Sequence, residues 1–221
     1  MNSFELLSAL KRLGYLKEPC EKLWWPNAGS FEVVVGAILT QQTKWSNVET
    51  SLDNLKKHSM LSLEVLSKSD EYVLKTLIQK CGFSGQKASR LKALSKNIIN
   101  DFGDFKTFQQ EADREWLLAQ KGIGLESADA ILCYACLRDV MVIDAYTNTL
   151  LKFFGYEFES YGEIQEWFYE GVLGNWEKVR ALYDFEIDEN TLFARLHGKI
   201  VEFCKNNAKE RDMSVFDGLI T

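Results

Sequence analysis

Hydrophobic residues recur at helical spacing along nearly the whole chain. Between residues 3 and 16, apolar side chains such as Leu7 and Leu10 fall on one face, and Ser3 is the expected N-cap. Only residues 140–143 alternate with a period of two, so we predict an all-α fold. Similar patterns, most of them opening on a capping residue, predict further helices over 30–39, 46–57, 62–67, 70–81, 86–102, 113–119, 127–137, 145–154, 161–172, 176–182 and 189–206.

The composition is typical of a folded globular protein. Of 221 residues, 46% are hydrophobic and 26% are charged. The longest apolar runs fall far short of the roughly 20 residues that cross a bilayer. The N-terminus carries an early acid, Glu5, and has neither a basic region nor a small-residue cleavage site. We therefore expect no signal peptide, no membrane partner and a cytoplasmic location.

The cysteines argue against a disulfide framework because their number is odd. Cys133 and Cys136 form a C-x-x-C, but their neighbours are apolar and helical, which favours buried thiols over a redox or metal role. His58 and His197 are isolated in the sequence, and we expect no metal site. The five cysteines are Cys20, Cys81, Cys133, Cys136 and Cys204.

Charge is unevenly distributed along the chain. The net charge of −6 alone argues against a nucleic-acid partner, whose phosphates attract basic residues. However, residues 80–96 contain five basic residues and no acid, whereas residues 157–189 contain ten acids against two basic residues. The basic segment is either a phosphate-binding patch or a solvated helix face.

A glycine-flanked turn joins two predicted helices at Lys121-Gly122-Ile123-Gly124. Ile123 can anchor the turn in the core, while Gly122 and Gly124 allow the backbone to turn tightly. The amides that open the second helix then point outward, which suits one phosphate group. This is the logic of a helix-hairpin-helix clamp on a DNA backbone, and an ordinary helical hairpin is the alternative.

The hairpin belongs to a longer signature. Residues 118–132, followed by Val140 to Asp144, resemble the helix-hairpin-helix, loop and aspartate signature (HhH-GPD) of the endonuclease III superfamily of DNA glycosylases. The segments Leu39 to Thr43 and Cys81 to Ala88 resemble DNA-facing loops of the same family. Three blocks, residues 23–27, 120–136 and 197–203, are also similar to the 3-methyladenine DNA glycosylase III group, in the same order and at nearly the same spacing.

The resemblance implies a two-lobed all-α fold with the active site in the cleft between the lobes. The central lobe is expected at residues 30–137, and the second lobe at 1–29 plus 138–221. Two departures from the family pattern bear on function. The C-terminal region has Cys204 alone where many relatives have four cysteines, so no iron–sulfur cluster is expected. Glu126 stands where bifunctional members carry the lysine that attacks the sugar.

Asp144 is the candidate catalytic residue. Cleavage of an N-glycosidic bond builds positive charge on the deoxyribose, which a fixed carboxylate stabilises. Asp144 follows a short apolar run and opens a helix, whose dipole favours the ionised form. A plain N-cap is the alternative role.

The expected base pocket is aromatic. Alkylated purines such as 3-methyladenine carry positive charge, so electron-rich indoles attract the flipped base. Trp24 and Trp25, stiffened by Pro26, are the expected walls, and Trp45 is a third candidate; a core role is the alternative for each. Lys199 is expected either to face this pocket, where desolvation would lower its pKa, or to be an exposed helix lysine.

The remaining candidates are expected to contact DNA. By alignment to the family loop, Gln42 fills the gap that the flipped base leaves, with Gln41 beside it, although a polar pair at a helix end is the alternative. The other expected DNA-binding residues are Lys87, Arg90, Lys121, Gly122, Ile123, Gly124 and Glu126.

Together these features predict a monomeric, monofunctional DNA glycosylase that excises alkylated purines, chiefly 3-methyladenine, from double-stranded DNA. No cofactor is required, although the resemblance implies that the hairpin carbonyls could hold a monovalent cation. One alternative is a bifunctional endonuclease III-like glycosylase and lyase that acts on oxidised pyrimidines. The other is a helix-hairpin-helix module that binds DNA without catalysis.

Overall fold

A computed structural model of the chain describes residues 1–16 and 22–207, and this part of the chain contains helices and no β-strand. The all-α prediction is therefore confirmed. Cys20 and residues 208–221 of the predicted second lobe lie outside the described residues. The helices are α1 (Ser3–Arg12), α2 (Phe31–Thr40), α3 (Trp45–Lys57), α4 (Leu63–Lys68), α5 (Glu71–Leu77), α6 (Ser84–Phe102), α7 (Phe105–Glu111), α8 (Arg114–Leu118), α9 (Leu125–Ala130), α10 (Ala145–Phe153), α11 (Tyr161–Leu173), α12 (Trp176–Arg180) and α13 (Glu189–Asn207).

The chain divides into two units. The terminal unit comprises Met1–Pro26 and Asp139–Thr221, and the central unit comprises Asn27–Arg138. Three features stay predictions: the central lobe at 30–137, the second lobe at 1–29 plus 138–221, and the cleft between them.

The core of the terminal unit forms around α13. Helices α1 and α10 pack against α13, and α1 also packs against α11. The apolar faces that were visible in the sequence meet here, and burial of each large aliphatic or aromatic side chain contributes roughly 1.5–3 kcal/mol. The fully buried core residues include Leu6, Leu7, Leu10, Phe168, Leu192, Leu196 and Ile200.

The central unit is built on α6. Helices α4, α5 and α7 pack against α6, and α2 packs against α3, α6 and α9. A 3-10 turn at Gln79–Cys81 precedes α6, and a π-helical turn at Ile131–Ala135 continues α9. This arrangement positions the end of α2, the start of α6 and the hairpin between α8 and α9 within one unit.

The first helix differs from its prediction at both ends. Asn2, not Ser3, is the N-cap, and it forms a reciprocal capping box with Glu5. The Ser3 hydroxyl is buried instead and donates to the carbonyl of Phe168 at 2.8 Å. The helix ends at Arg12 rather than at Leu16, because Gly14 adopts a left-handed φ of 85° that breaks the helical path.

Two features of the central unit were not predicted. Helix α7 is short, and its Phe105 and Phe108 are stabilised by a wider aromatic cluster that the local pattern does not reveal. The predicted helix over 127–137 is interrupted by the π turn, since the carbonyl of Tyr134 accepts from the Gly29 amide at 2.7 Å and that of Ala135 accepts from Gln109 Nε2 at 2.7 Å.

None of the helices in the described part of the chain is long and apolar enough to span a lipid bilayer.

Candidate functional site

Asp144 caps α10 in the terminal unit, and its carboxylate is held in a fixed position. Its Oδ1 accepts hydrogen bonds from the Thr147 backbone amide at 2.8 Å and from the Thr147 hydroxyl at 2.9 Å. Its Oδ2 lies 3.5 Å from Nε2 of His197, and the side chain is 13% exposed. The plain capping role and a catalytic role are therefore compatible, because Oδ1 caps the helix while Oδ2 faces other groups.

The surroundings of Asp144 favour its ionised form. Burial opposes ionisation, but His197 and the two hydrogen bonds from Thr147 outweigh it and hold the pKa of Asp144 below its usual value. The nearby Cys204 shows the opposite effect, since burial and the Asp144 charge raise the pKa of its thiol to about 12. The terminal unit thus presents an anionic carboxylate next to an inert thiol.

Trp24 packs against the same stretch of α13 that faces Asp144. The edge of its ring meets His197, with 5.4 Å between ring centroids, and its Nε1 donates to Oε1 of Glu202 at 3.1 Å. A Cβ at Gly198 would lie 2.4 Å from Cγ of Trp24, so only glycine permits this approach. Trp24 also has a φ of 67°, a left-handed conformation that is strained for an aromatic residue and is typical of functional sites.

The other expected pocket residues of the terminal unit differ in exposure. Trp25 meets the edge of Trp24 but is only 8% exposed, whereas Pro26 is exposed. Lys199 is 1% exposed, and its ammonium donates to the carbonyl of Tyr15. The prediction of an exposed helix lysine is therefore wrong for Lys199, and its contact with the base stays a prediction. Trp45 begins α3 in the central unit and is half-buried.

The hairpin of the central unit has the predicted form. Ile123 is buried, and Gly122 has a φ of 82°. A Cβ at Gly122 would lie 2.2 Å from Nε of Arg90, so the arginine packs directly on the turn. Helices α8 and α9 are joined by a bidentate ion pair, in which Arg114 contacts both carboxylate oxygens of Asp129 at 2.7 and 2.8 Å. The exposed positions of the hairpin are Lys121, Gly122, Gly124, Leu125 and Glu126.

Gln41 connects the end of α2 to this hairpin. Its Nε2 donates to the carbonyl of Gly122 at 2.9 Å and to the hydroxyl of Ser127 at 3.0 Å, while its Oε1 accepts from Arg90 at 2.9 Å. Gln42 is exposed and has a φ of 51°, again left-handed. The structure therefore assigns different positions to the two glutamines: Gln41 is an internal link, and Gln42 projects outward.

The position of Lys87 contradicts the prediction that it contacts a phosphate. Lys87 is 1% exposed, and its ammonium donates to the carbonyls of Leu39, Gln41 and Cys81 and to the hydroxyl of Thr43. A cation whose hydrogens are all engaged by internal oxygens is not available to DNA. The sequence identified a basic segment correctly, but this member of it is directed inward.

A groove of about 580 Å³ lies between these elements of the central unit. Phe83 borders it, is 64% exposed and has a left-handed φ of 46°. Backbone strain of this kind clusters at functional sites, which makes Phe83 a candidate for contact with a partner. The groove is lined by Gln41, Gln42, Phe83, Gln86, Lys87, Arg90 and residues 124–127.

Sequence reasoning missed three residues of these sites, namely His197, Glu202 and Phe83. His197 and Glu202 flank Gly198 in a block that the family resemblance had already singled out, so their proximity to Trp24 could have been suspected. Phe83 lies in a glycine-containing loop, and an aromatic residue between Gly82 and Gly85 was an available signal.

No cluster of three or more histidine, cysteine or acidic side chains suited to a metal occurs within residues 1–16 and 22–207. Two carbonyls near the hairpin already accept hydrogen bonds: that of Gly122 from Gln41 and that of Gln120 from the Ile123 amide. The predicted monovalent cation and the predicted absence of an iron–sulfur cluster stay predictions.

An all-α fold with a glycine-flanked hairpin and a helix-capping aspartate defines a class of DNA repair proteins. A family model described as HhH-GPD superfamily base excision DNA repair protein matches residues 35–196, and the chain belongs to this family. It is accordingly a DNA glycosylase of base excision repair.

Individual relatives agree with this assignment. The structure of an H. pylori 3-methyladenine DNA glycosylase (MagIII) bound to 1,N6-ethenoadenine is 47% identical, with a TM-score of 0.90 over 94% of this chain and 99% of that chain. A Methanocaldococcus jannaschii protein whose name describes it as a DNA repair glycosylase is 35% identical to this chain. The match covers 95% of this chain and 92% of that protein. A trapped endonuclease III–DNA covalent intermediate has a TM-score of 0.71 at 14% identity, over 96% of this chain and 90% of that chain, which indicates a shared fold.

Proposed function

We propose that this glycosylase is monofunctional and hydrolytically excises alkylated purines, chiefly 3-methyladenine, from double-stranded DNA. The observation that carries the proposal is the fixed, ionised Asp144 in the same helical unit as the strained Trp24, with His197 in contact with both. The similarity to the H. pylori enzyme named above supports the same substrate class. We expect the protein to act as a monomer in the cytoplasm.

Excision of a cationic base requires a carboxylate that stabilises the charge on the sugar, and it does not require an acid that protonates the base. When the glycosidic bond breaks, its electron pair passes to the cationic base, which leaves as a neutral molecule. Positive charge then develops on the sugar, and the Asp144 carboxylate stabilises it until water adds at C1′ and releases a proton. A carboxylate whose pKa is lowered by His197 and Thr147 suits this role, because it stays ionised at neutral pH.

Selection of the base rests on aromatic stacking. Trp24 is the expected wall, because its indole ring is half-buried and is oriented by Glu202, His197 and the close approach at Gly198. An indole face attracts a cationic base by roughly 0.5–2 kcal/mol. This preference favours alkylated purines over neutral bases.

Contact with DNA is expected on the central unit. Gln42 and Phe83 are exposed on left-handed turns beside the groove, and we propose that they enter the duplex where the base has left the stack. Arg90 and Lys121, together with the hairpin amides, are the expected phosphate contacts.

A monofunctional mechanism is supported at two positions. Glu126 stands at the place of the sugar-attacking lysine of the bifunctional relatives, and a carboxylate cannot form an imine. Lys199 is the second amine to consider, and its ammonium is buried with a backbone carbonyl as acceptor.

The test is base release from duplex oligonucleotides that each carry one lesion, analysed with and without alkali. We expect release of 3-methyladenine and intact strands until alkali is added, with little covalent trapping by borohydride. Strand cleavage without alkali, or trapping that is lost in Lys199→Ala, would establish a lyase and overturn the monofunctional assignment. Binding without release of any base would favour the non-catalytic module.

A further inference from the structure

Lys87 is an unusual residue because a full positive charge is buried among neutral oxygens. Its Nζ lies 2.9 Å from the carbonyl of Leu39, 2.8 Å from that of Gln41, 2.7 Å from that of Cys81 and 2.7 Å from the hydroxyl of Thr43. Burial lowers the pKa of Lys87, Cys81 partly offsets this effect, and the nearby charge of Arg90 lowers the pKa further. Four acceptors nevertheless favour the ammonium form, which has three hydrogens to donate rather than two.

The four oxygens come from two separate segments, the loop at 39–43 and the 3-10 turn. Leu39 and Gln41 lie at the C-terminal end of α2, Thr43 precedes α3, and Cys81 ends the 3-10 turn. Carbonyls at the end of a helix have no partner within the helix and carry its negative dipole, so a cation there is favourable. The Thr43 hydroxyl also donates to the carbonyl of Cys81 at 2.6 Å, which ties the two loops together. One ammonium thus fixes both loops to α6.

The two exposed, strained residues stand within two residues of these anchored positions. Gln42 follows Gln41, and Phe83 stands two residues after Cys81. Each has a left-handed φ, 51° for Gln42 and 46° for Phe83, which is strained in a residue other than glycine. Such conformations persist only where the surroundings fix them. The backbone on the N-terminal side of each is fixed by Lys87.

Arg90 extends the same arrangement to the hairpin. It stands one turn after Lys87 on α6 and donates to Oε1 of Gln41, whose Nε2 in turn donates to the hairpin carbonyl of Gly122. Lys87 therefore holds the backbone of the α2 loop while Arg90 holds the Gln41 side chain. The loop at Gln42, the loop at Phe83 and the hairpin are linked into one rigid surface before DNA is present.

We propose that Lys87 is a positioning residue that fixes Gln42 and Phe83 in advance so that both can enter a duplex from which one base has been flipped. The proposal rests on the DNA contacts proposed above for these two residues. Lys87 acts through the two loops and touches neither phosphate nor base. Its effect should consequently be confined to DNA that contains a gap in the base stack.

The experiment compares binding to two duplexes of one sequence, one with a stable abasic-site analogue and one undamaged. Lys87→Met removes the charge and keeps a flexible apolar stem of similar length. We expect affinity for the abasic duplex to fall about tenfold or more, because several internal hydrogen bonds are lost, while undamaged duplex is affected less than about threefold. The matched control is Lys96→Met, which removes the same charge from an exposed position of α6.

Equal losses of affinity on both duplexes would mean that Lys87 serves a general electrostatic role, and unchanged affinity for both would mean that it serves no role in binding; either result overturns the proposal. If Lys87→Met fails to fold, as judged by circular dichroism, Thr43→Val decides the question. This isosteric change removes one of the four acceptors, and we expect the abasic preference to fall about threefold. An unchanged preference in Thr43→Val would likewise overturn the proposal. Because no base is excised in this assay, an error in the proposed lesion specificity does not affect the outcome.

Discussion

The terminal and central units each contain a charged side chain that is shielded from solvent, Asp144 and Lys87, and the two differ in how completely the charge is enclosed. The Asp144 carboxylate in the terminal unit accepts from an amide and a hydroxyl of Thr147, and 13% of its side chain remains exposed. The Lys87 ammonium in the central unit donates to three carbonyls and a hydroxyl, and the residue is 1% exposed.

Neutral carbonyl and hydroxyl dipoles stabilise the Lys87 charge, whereas His197 together with Thr147 stabilises the Asp144 charge. The carboxylate directs Oδ1 to its own helix and Oδ2 toward His197, which leaves a charged group at the edge of a site. The ammonium directs all of its hydrogens inward. A partly exposed charge can act on a substrate, whereas a fully enclosed one can only shape the surface around it.

The largest expected effect comes from removing the partly exposed charge. Asp144→Asn should lower the rate of base excision by about a hundredfold or more, because the sugar carries its full positive charge only in the transition state. Affinity for abasic-analogue DNA should stay nearly unchanged, since that ligand lacks the charge. Single-turnover excision and binding titrations measure the two effects.

Asp139→Asn is the matched control for this prediction, because Asp139 is an exposed aspartate in the same unit. A near-native excision rate in Asp144→Asn would show that the carboxylate only caps α10.

A smaller effect is expected from the aromatic side chains. Trp24→Ala should lower excision of cationic bases between about twofold and thirtyfold, which corresponds to the range of cation–π energies, while binding of abasic DNA is spared. The same measurement on Trp45→Ala tests whether the central unit contributes an equivalent wall. Equal losses of excision and abasic binding in Trp24→Ala would point instead to a structural role.

An exposed charge of the central unit should behave differently from Lys87. Lys121→Ala should weaken binding to every duplex alike and reduce the slope of log affinity against log salt by about 1, as expected for one phosphate contact. Lys178→Ala, an exposed lysine of the terminal unit, is the control. An unchanged slope in Lys121→Ala would exclude a phosphate contact of Lys121.

The smallest expected effect is on stability in acid. The folded state lowers the pKa of Asp144, so its carboxylate stabilises the fold above the unfolded pKa near 3.9, and this contribution is lost as pH falls through the lower folded value. The difference in free energy of unfolding between wild type and Asp144→Asn should therefore shrink below about pH 4. Urea unfolding at several pH values measures it, and a difference independent of pH contradicts the lowered pKa.

Much of the fold follows from local signals in the sequence. Helical periodicity was sufficient for α3, α10 and α11, whose observed ends lie within a residue of the predicted ones. Local signals did not predict the π turn at Ile131–Ala135. Its carbonyls accept hydrogen bonds from Gly29 and Gln109, which are distant in the chain. Helix α7 was missed because it is short and depends on aromatic contacts made after folding.

The all-α class, the family and the hairpin followed from the sequence alone, because each depends on patterns and motifs whose residues lie close together in the chain. The direction of Lys87 was decided only by tertiary structure, since periodicity does not reveal which lysine of a basic helix finds enough internal oxygens to be buried. The contact of His197 with Asp144 and Trp24 was likewise decided by the packing of α13. Side chains far apart in sequence acquire a shared role only when the helices that carry them pack together.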